Sequence, residues 1–540
     1  MTKLLISALL LATACQASAQ KFYPDDPLVK EPRPRDASGV KSRKLSDYYD
    51  LVENSYGKRG EHGAPQKGIP ARDVNTLGEP LDGAWYTHRH YWNPMTIEQL
   101  QLGVGGKNPP SESGQWTIVS AKSEGISPGF VMMDSKNDRY YVKFDPMSNP
   151  EMATGAEMIV SRIVHALGYH VPDYYLIHFT RDKLILAKDI KFRDPQGRER
   201  AMVNRDLDKL LKKVPRTADG RYRGIVSIQI PGKPVGPYKY FGTRGDDPND
   251  VIPHEHRRVL RGLYVFAEWL AHNDSRAINS LDTLVEEEEG VTAVRHYLMD
   301  FGATLGSAST MEKTARNGGE YYLDLSPAPK AIATFGLAVP RWQRVHYPKI
   351  RSVGGFDYVA FQPDAWKPDY PNQAFRNRLP DDEFWAAKQV MALSDEQIRA
   401  IVKVAEYSDP RADDYMTRAL IARRDKIGRH YFAKVLPLDR FTVENSQLTF
   451  HDLAQDHGIE TKGDLHVSWS RFDNATSQKA TLEGVQDFRV PIDAGASYLR
   501  ADLWRGEDHT KTVTVYLRCA NGSAEVVGVD RTWPPQPTIH

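Results

Sequence analysis

From Trp116 onward, short runs with a two-residue hydrophobic period give way to longer stretches with a helical one. Trp116–Ser120, Gly129–Met133 and Tyr140–Phe144 read as strands, the last following the turn Asp134-Ser-Lys-Asn-Asp138. Ala156, Ile159, Val160, Ile163, Val164 and Leu167 then share one helical face, and Gly168 is placed to end that helix. Two more strands are expected at Tyr174–Phe179 and Leu184–Ala187. The region beyond them reads as mainly helical, with a short helix at Asp206–Val214. A longer one at His254–His272 turns Leu260, Leu263, Phe266, Ala267 and Leu270 inward. Asn279–Val285 and Ala293–Met299 form two strands around the acidic turn Glu286-Glu-Glu-Glu-Gly290, a solvated hairpin tip. Residues 303–380 are irregular. Helices return at Asp382–Leu393, Ser394–Ala405 and Asp413–Ile427, the second opened by Ser394 with Glu396 and Gln397 behind it.

The last hundred residues change period. Leu465, Val467 and Trp469 alternate with polar neighbours, as do Leu499, Ala501 and Leu503, and again Val513, Val515, Leu517 and Cys519. That is the pattern of a small all-β sandwich, expected over 434–540 and able to fold alone, with Trp469 and Trp504 in core roles. Before Trp85 the chain is polar and rich in Pro, Gly, Lys and Arg, so residues 20–84 read as a loosely structured, flexible leader wrapping the main domain. It carries one short helix near Ser46–Tyr56. Another short helix fits Met95–Leu102. The main domain is expected over 85–433, divided near residue 235.

Composition narrows the function classes. Lys plus Arg number 71 against 70 for Asp plus Glu, so no net field draws the chain towards nucleic acid or an anionic membrane, and no nucleic-acid partner is expected. Lys3, the apolar run Leu4–Ala14 and the small residues of Ala17-Ser18-Ala19 mark residues 1–19 as a signal peptide cleaved after Ala19, with a secreted or periplasmic product. A second reading takes Ala12-Thr13-Ala14-Cys15 as a lipoprotein box with Cys15 acylated, leading to the outer membrane; Ala12 replaces the usual Leu there. No other run is long enough to span a bilayer. With two cysteines, one of them in the signal, a disulfide framework is excluded despite export.

Three separated segments fit one chemistry. Lys143 ends a strand and Glu157 lies one turn into the following helix; a lysine so placed can hold nucleotide phosphates, and a facing glutamate can fix its ammonium. In His272-Asn-Asp-Ser-Arg-Ala-Ile-Asn279, Asp274 and Asn279 stand five residues apart. A carboxylate there can orient an acceptor hydroxyl and take its proton, while an amide oxygen is a hard neutral ligand for magnesium. Asp300 opens Asp300-Phe301-Gly302 after a strand, where it can bridge magnesium to phosphates. His254 and His256 fall on different faces and form no metal pair. Arg257, Arg258 and Arg261 form a basic patch open to phosphates or water, and Asp246, Asp247 and Asp250 a solvated loop.

Over residues 115–430 this ordered set resembles the protein-kinase-like superfamily, closer to its phosphatidylinositol-kinase and HipA-type branch than to ordinary eukaryotic protein kinases. The segments Pro150-Glu-Met-Ala-Thr-Gly-Ala-Glu157 and His296-Tyr-Leu-Met-Asp-Phe-Gly302 also resemble those of a group of exported bacterial proteins. The resemblance implies an α+β class, a two-lobed kinase-like fold followed by the small all-β sandwich. It implies ATP and Mg as cofactors, and a protein, lipid or small-molecule acceptor. It implies Asp274 as catalytic residue, Lys143 and Glu157 as nucleotide-binding residues, and Asn279 and Asp300 as metal ligands. Ser123-Glu-Gly-Ile-Ser-Pro-Gly129, with Ser123 and Gly125, stands where that branch places its phosphate loop. The chain departs from the pattern in lacking G-x-G-x-x-G, in having Asn273 rather than Arg before Asp274, and in lacking Ala-Pro-Glu after Asp300. The alternative reading is a pseudokinase acting as an envelope binding or scaffold protein.

Overall fold

Lys143 sits in mid-sheet because its strand is hydrogen-bonded on both sides. In a computed structural model, which describes residues 20–57, 68–106, 108–121, 128–193, 198–287, 290–323, 332–334, 341–492 and 495–535, strands β1 (Trp116–Ala121), β2 (Gly129–Met133) and β3 (Arg139–Lys143) form an antiparallel meander. β4 (Tyr174–Phe179), β5 (Leu184–Leu186) and β6 (Tyr222–Ile228) complete a six-stranded sheet of order β4-β6-β3-β2-β1-β5. Lys143 is paired with Gly129 on one side and Ile225 on the other. Trp116, Ile118, Phe130, Met132, Tyr140, Val142, Phe144 and Val226 close a core on one face.

Strand β6 corrects the expectation of a mainly helical region. It lies between β3 and β4, and its pattern is hidden because Arg223 and Gly224 interrupt the hydrophobic alternation. Arg223 is buried because its guanidinium donates to the Ala405 and Glu406 carbonyls and to Thr154. A Cβ on Gly224 would meet the Phe144 ring at 2.9 Å.

A short helix α1 (Asp47–Val52) precedes the sheet, and helix α2 (Met152–Ala166) follows β3. α2 is buried on nearly every side. Its first turn is fixed by Asp145, whose carboxylate accepts from the Thr154 N–H at 2.9 Å and hydroxyl at 2.7 Å. Gly168 ends it with φ +106°. Below lie α3 (Arg258–Trp269), α4 (Pro380–Met391), α5 (Asp395–Val402) and α6 (Pro410–Phe432), and a three-stranded sheet of β7 (Lys233–Gly236), β8 (Ser280–Glu286) and β9 (Thr292–Leu298). Gly262 lets α3 and α4 approach, since a Cβ there would meet the Trp385 ring at 2.6 Å.

The helix expected from His254 begins only at Arg258, because His254–His256 form a separate tight turn. Its arginines are not a surface patch. Arg257 pairs with Asp250, Arg258 with Asp381 and Asp382, and Arg261 with Asp382, all of them buried except the half-buried Asp381. Asp247 and Asp250 are buried too, rather than solvated; His254 holds Asp250 at 2.7 Å. Among the described residues no group of three or more His, Cys, Asp or Glu is arranged as a metal cluster, and no helix is long and apolar enough to cross a membrane.

Residues 29–74 and 80–433 form one compact unit with these elements; residues 20–28, 75–79 and 434–534 form another. The second is an antiparallel five-stranded sheet of β12 (Leu465–Phe472), β13 (Lys479–Thr481), β14 (Tyr498–Arg505), β15 (Asp508–Ala520) and β16 (Ser523–Arg531), in the order β13-β12-β14-β15-β16. The hairpin β10 (Leu438–Glu444) and β11 (Gln447–Asp452) shares its core through Leu438 and Leu448, with Trp469 fully buried. The chain is thus a mixed α+β fold with a separate antiparallel β region at its C-terminal end. The stretch expected as a loose leader carries buried residues: Phe22 in the β unit, and Ala37, Val40, Asp50 and Asn54 in the other. Phe22 packs against Phe472, Tyr498 and Tyr516, and Asn474 bonds its backbone on both sides. The segment 1–19, expected as a signal, lies outside the described residues.

Candidate active site

The antiparallel hairpin explains how residues far apart in the chain meet. Ser280 pairs with Leu298, so Asn279, just before β8, and Asp300, just after β9, emerge at the same end. The Met299 N–H donates to the Asn279 carbonyl at 3.0 Å, closing that end. Above it, the Lys143 ammonium reaches from β3 to Glu157 Oε2 at 3.3 Å and Asp300 Oδ1 at 2.7 Å. The structure therefore brings Lys143, Glu157 and Asp300 into direct contact, with Asn279 and Asp274 lining the same cavity of about 240 Å³. Ser123 and Gly125 lie outside the described residues.

Each carboxylate is set differently. Glu157 is buried, and burial pushes its pKa up against the pull of Lys143. Its Oε1 accepts the Phe301 N–H at 3.0 Å. A Cβ on Gly302 would come within 2.9 Å of Glu157 Oε2, so glycine is what allows this turn to press on the glutamate. Asp300 has φ 64° and ψ 64°, a left-handed backbone that costs a non-glycine residue about 1–2 kcal/mol. Tyr174 holds the turn there: its hydroxyl accepts the Asp300 N–H at 3.3 Å and bonds the Glu157 carboxylate. Asp300 stays 41% exposed, so its carboxylate faces the cavity. For Lys143, burial disfavours the ammonium, but the Asp300 and Glu157 charges outweigh it and hold the pKa above that of an ordinary lysine.

Lower in the cavity, the Asn279 side-chain N–H donates to the Asp274 carbonyl at 2.7 Å, which leaves the amide oxygen as that group's acceptor. Asp274 forms an ion pair with Arg276, which also reaches Asp47 of α1 at 2.7 Å. Asp369 and Tyr322, joined at 2.7 Å, line the same space, and burial pushes Asp369 up to about 6. Lys143, Arg276 and Lys313 thus face Glu157, Asp274, Asp300 and Asp369 across one cavity. A carboxylate excess beside an exposed Asp300 and an oriented amide oxygen suits a hard divalent cation. Tyr174, Arg276, Asp47, Lys313, Tyr322 and Asp369 were not singled out from sequence. Arg276 could have been, since it lies inside the Asp274–Asn279 loop; the others carry no spacing signal.

A strand lysine, a facing helix glutamate, a loop ending in asparagine and an Asp-Phe-Gly turn enclose one cavity between two lobes. These are the residues on which the resemblance to the protein-kinase-like superfamily rests. No family model matches the chain, and no curated protein sequence matches it. Among solved structures it is similar to the Helicobacter pylori proinflammatory kinase CtkA, with a TM-score of 0.33, 10% identity, and coverage of 60% of this chain and 99% of that one. It is also similar to a Golgi casein kinase, with a TM-score of 0.28, 9% identity, and coverage of 76% and 96%.

Proposed function

We propose that the chain is an exported phosphotransferase that uses ATP with magnesium, its acceptor a hydroxyl of a protein, lipid or small molecule. The observation that carries the reading is the Lys143 ammonium shared between buried Glu157 and exposed Asp300, over a cavity that also holds Asp274 and Asn279. Lys143 would hold phosphate oxygens in place of the Asp300 contact, with Glu157 keeping it aimed. Asp300 and the Asn279 amide oxygen would hold magnesium, which supplies charge neutralisation on the phosphates when bound. Asp274 would orient the acceptor hydroxyl and receive its proton once Arg276 shifts its weight to Asp47. The residues that resemble the phosphatidylinositol-kinase and HipA-type branch are the same ones.

A second reading, a non-catalytic pseudokinase binding a partner at the envelope, draws on the Arg276–Asp274 ion pair, which occupies the base. Thermal denaturation of the mature protein with ATP, with and without magnesium, tests the first reading, followed by transfer of labelled γ-phosphate. Magnesium-dependent stabilisation with transfer is expected; equal melting in every condition would leave the pseudokinase. Export rests on the apolar run Leu4–Ala14. N-terminal sequencing is expected to begin at Gln20, and a lipid-bearing Cys15 would replace this with the lipoprotein reading.

A further inference from the structure

Among the groups lining the cavity, one cation has no part in the chemistry proposed above. Lys313 lies on the segment after the Asp300 turn, and it is 5% exposed. Its ammonium donates to Asn273 Oδ1 at 2.7 Å, to the Ala303 carbonyl at 2.8 Å and to the Ala271 carbonyl. Two of these acceptors flank the entry to Asp274 and the third follows Gly302. The ammonium's three N–H bonds are therefore divided between the loop carrying Asp274 and the turn carrying Asp300. Lys313 is itself pinned, because its backbone N–H donates to the Gly306 carbonyl at 2.8 Å and the Leu305 N–H to the Leu270 carbonyl at 2.9 Å.

Burying an ammonium is costly unless every N–H is used. An apolar side chain would pack this space at lower cost if filling it were all that mattered. What a lysine adds to the Leu305–Leu270 bond and the hairpin β8–β9 is a fixed, three-way junction between the two segments. We infer that Lys313 is a positioning residue that fastens the Asp274 loop and the Asp300 turn in one arrangement, built in rather than supplied by a modification. Asn273, where the resemblance would have an arginine, serves here as an acceptor for that junction.

The junction depends on the proton. Burial pushes Lys313 down to about 8, against the pull of Asp369 and Asp274 and with the push of Arg423; His272 faces it from the end of α3. Above that pH the folded state sheds a proton that the unfolded chain keeps until about 10.4. The unfolded state then binds more protons, so this group's contribution to stability rises with pH over that window. The positioning role predicts the opposite for function, since neutral lysine has fewer N–H bonds to divide.

The test is amide hydrogen exchange on the full mature chain, comparing wild type, Lys313→Met and Lys313→Arg. It is read at peptides covering 270–280 and 300–313, with strands β12 and β14–β16 as the internal reference. It is paired with Mg·ATP-induced melting shifts from pH 7 to 9.5. Lys313→Met is expected to speed exchange at least tenfold in both peptides and leave the reference unchanged, and Lys313→Arg to restore part of the protection. The wild-type Mg·ATP shift is expected to fall with a midpoint near pH 8 while the apo melting temperature does not fall with it; Lys313→Met should show no such midpoint. Should Lys313→Met not fold, wild type alone decides: a Mg·ATP shift and apo stability that move together mark a purely structural lysine and overturn the proposal. Wild-type protection in both peptides of a folded Lys313→Met also overturns it, whether or not nucleotide binds. The positioning arm rests on the phosphotransferase reading only for its nucleotide readout. Faster exchange in Lys313→Met, with no Mg·ATP response in any form, supports the fastener and sinks that reading instead.

Discussion

Two ion clusters in the larger unit are built from the same groups and do different work. In one, Arg258 and Arg261 grip Asp382, and Arg258 also grips Asp381; Asp382 is fully buried and further accepts the Leu379 N–H at 2.9 Å. The remaining donors of Arg261 go to the Glu255 and Ile69 carbonyls and to His256, all within the protein. In the other, Lys143 is shared by two carboxylates of unequal exposure, 1% for Glu157 and 41% for Asp300, beside a cavity. The sealed cluster ties α3 to α4. The open one leaves one partner able to exchange its protein contact for a ligand. Charge pairing alone therefore does not mark a site; here the exposed partner lies beside a cavity lined by further polar groups.

The comparison breaks most readily at the sealed cluster. Asp382→Ala should cost about 3–5 kcal/mol, because buried Arg261 loses its counter-charge and Arg258 one of its two, and urea denaturation should show it. Any nucleotide response surviving in the folded fraction should be unchanged. Next in size, Asp274→Ala should lower phosphate transfer about 10²–10⁴-fold while Mg·ATP stabilisation persists, as expected for a group that acts on the acceptor. Asp300→Ala should remove the magnesium-dependent part of the ATP melting shift and leave the apo fold standing, since its side chain is half in water. If Asp300→Ala unfolds the protein as Asp382→Ala does, the distinction between open and sealed clusters fails. The smallest effect concerns Asp369, held up at about 6. A raised carboxyl contributes stability below its unfolded value and loses it as pH rises through 6, so Asp369→Asn should flatten a shallow fall in melting temperature between pH 4 and 7.

Most of the open cluster was legible before any coordinates. The hydrophobic period places Lys143 on a strand and Glu157 on a helix, and the hairpin forces Asn279 and Asp300 together, because antiparallel pairing returns the chain to its start. What was not legible had no period to read. β6 is hidden by a buried arginine and a glycine, and Asp369 lies in the irregular stretch 303–380. There, backbone bonds such as Asp369 N–H to the Asn273 carbonyl at 2.9 Å decide position. The same holds for the segment before Trp85. Its polar composition reads as loose, yet Asp50 is buried under the Tyr370 hydroxyl at 2.6 Å and Asp47 touches the loop of Asp274 through Arg276.

The burial of Phe22 has a consequence for the order in which the protein can be made. The Phe22 N–H bonds Asn474 across 452 residues of chain, and a Cβ on Gly528 would collide with the Phe22 ring at 2.4 Å, so the socket is shaped around it. The β unit thus takes one piece of its core from the first residues after the expected signal and the rest from the last hundred. Synthesis delivers these pieces far apart in time. Until the last strand arrives, Phe22 waits as an exposed aromatic, and joining it closes one of the longest loops the chain allows. Completion of this unit is therefore a late step that requires synthesis through β16, and a product truncated before β16 is expected to keep residues near Phe22 open to proteases, which limited proteolysis would show.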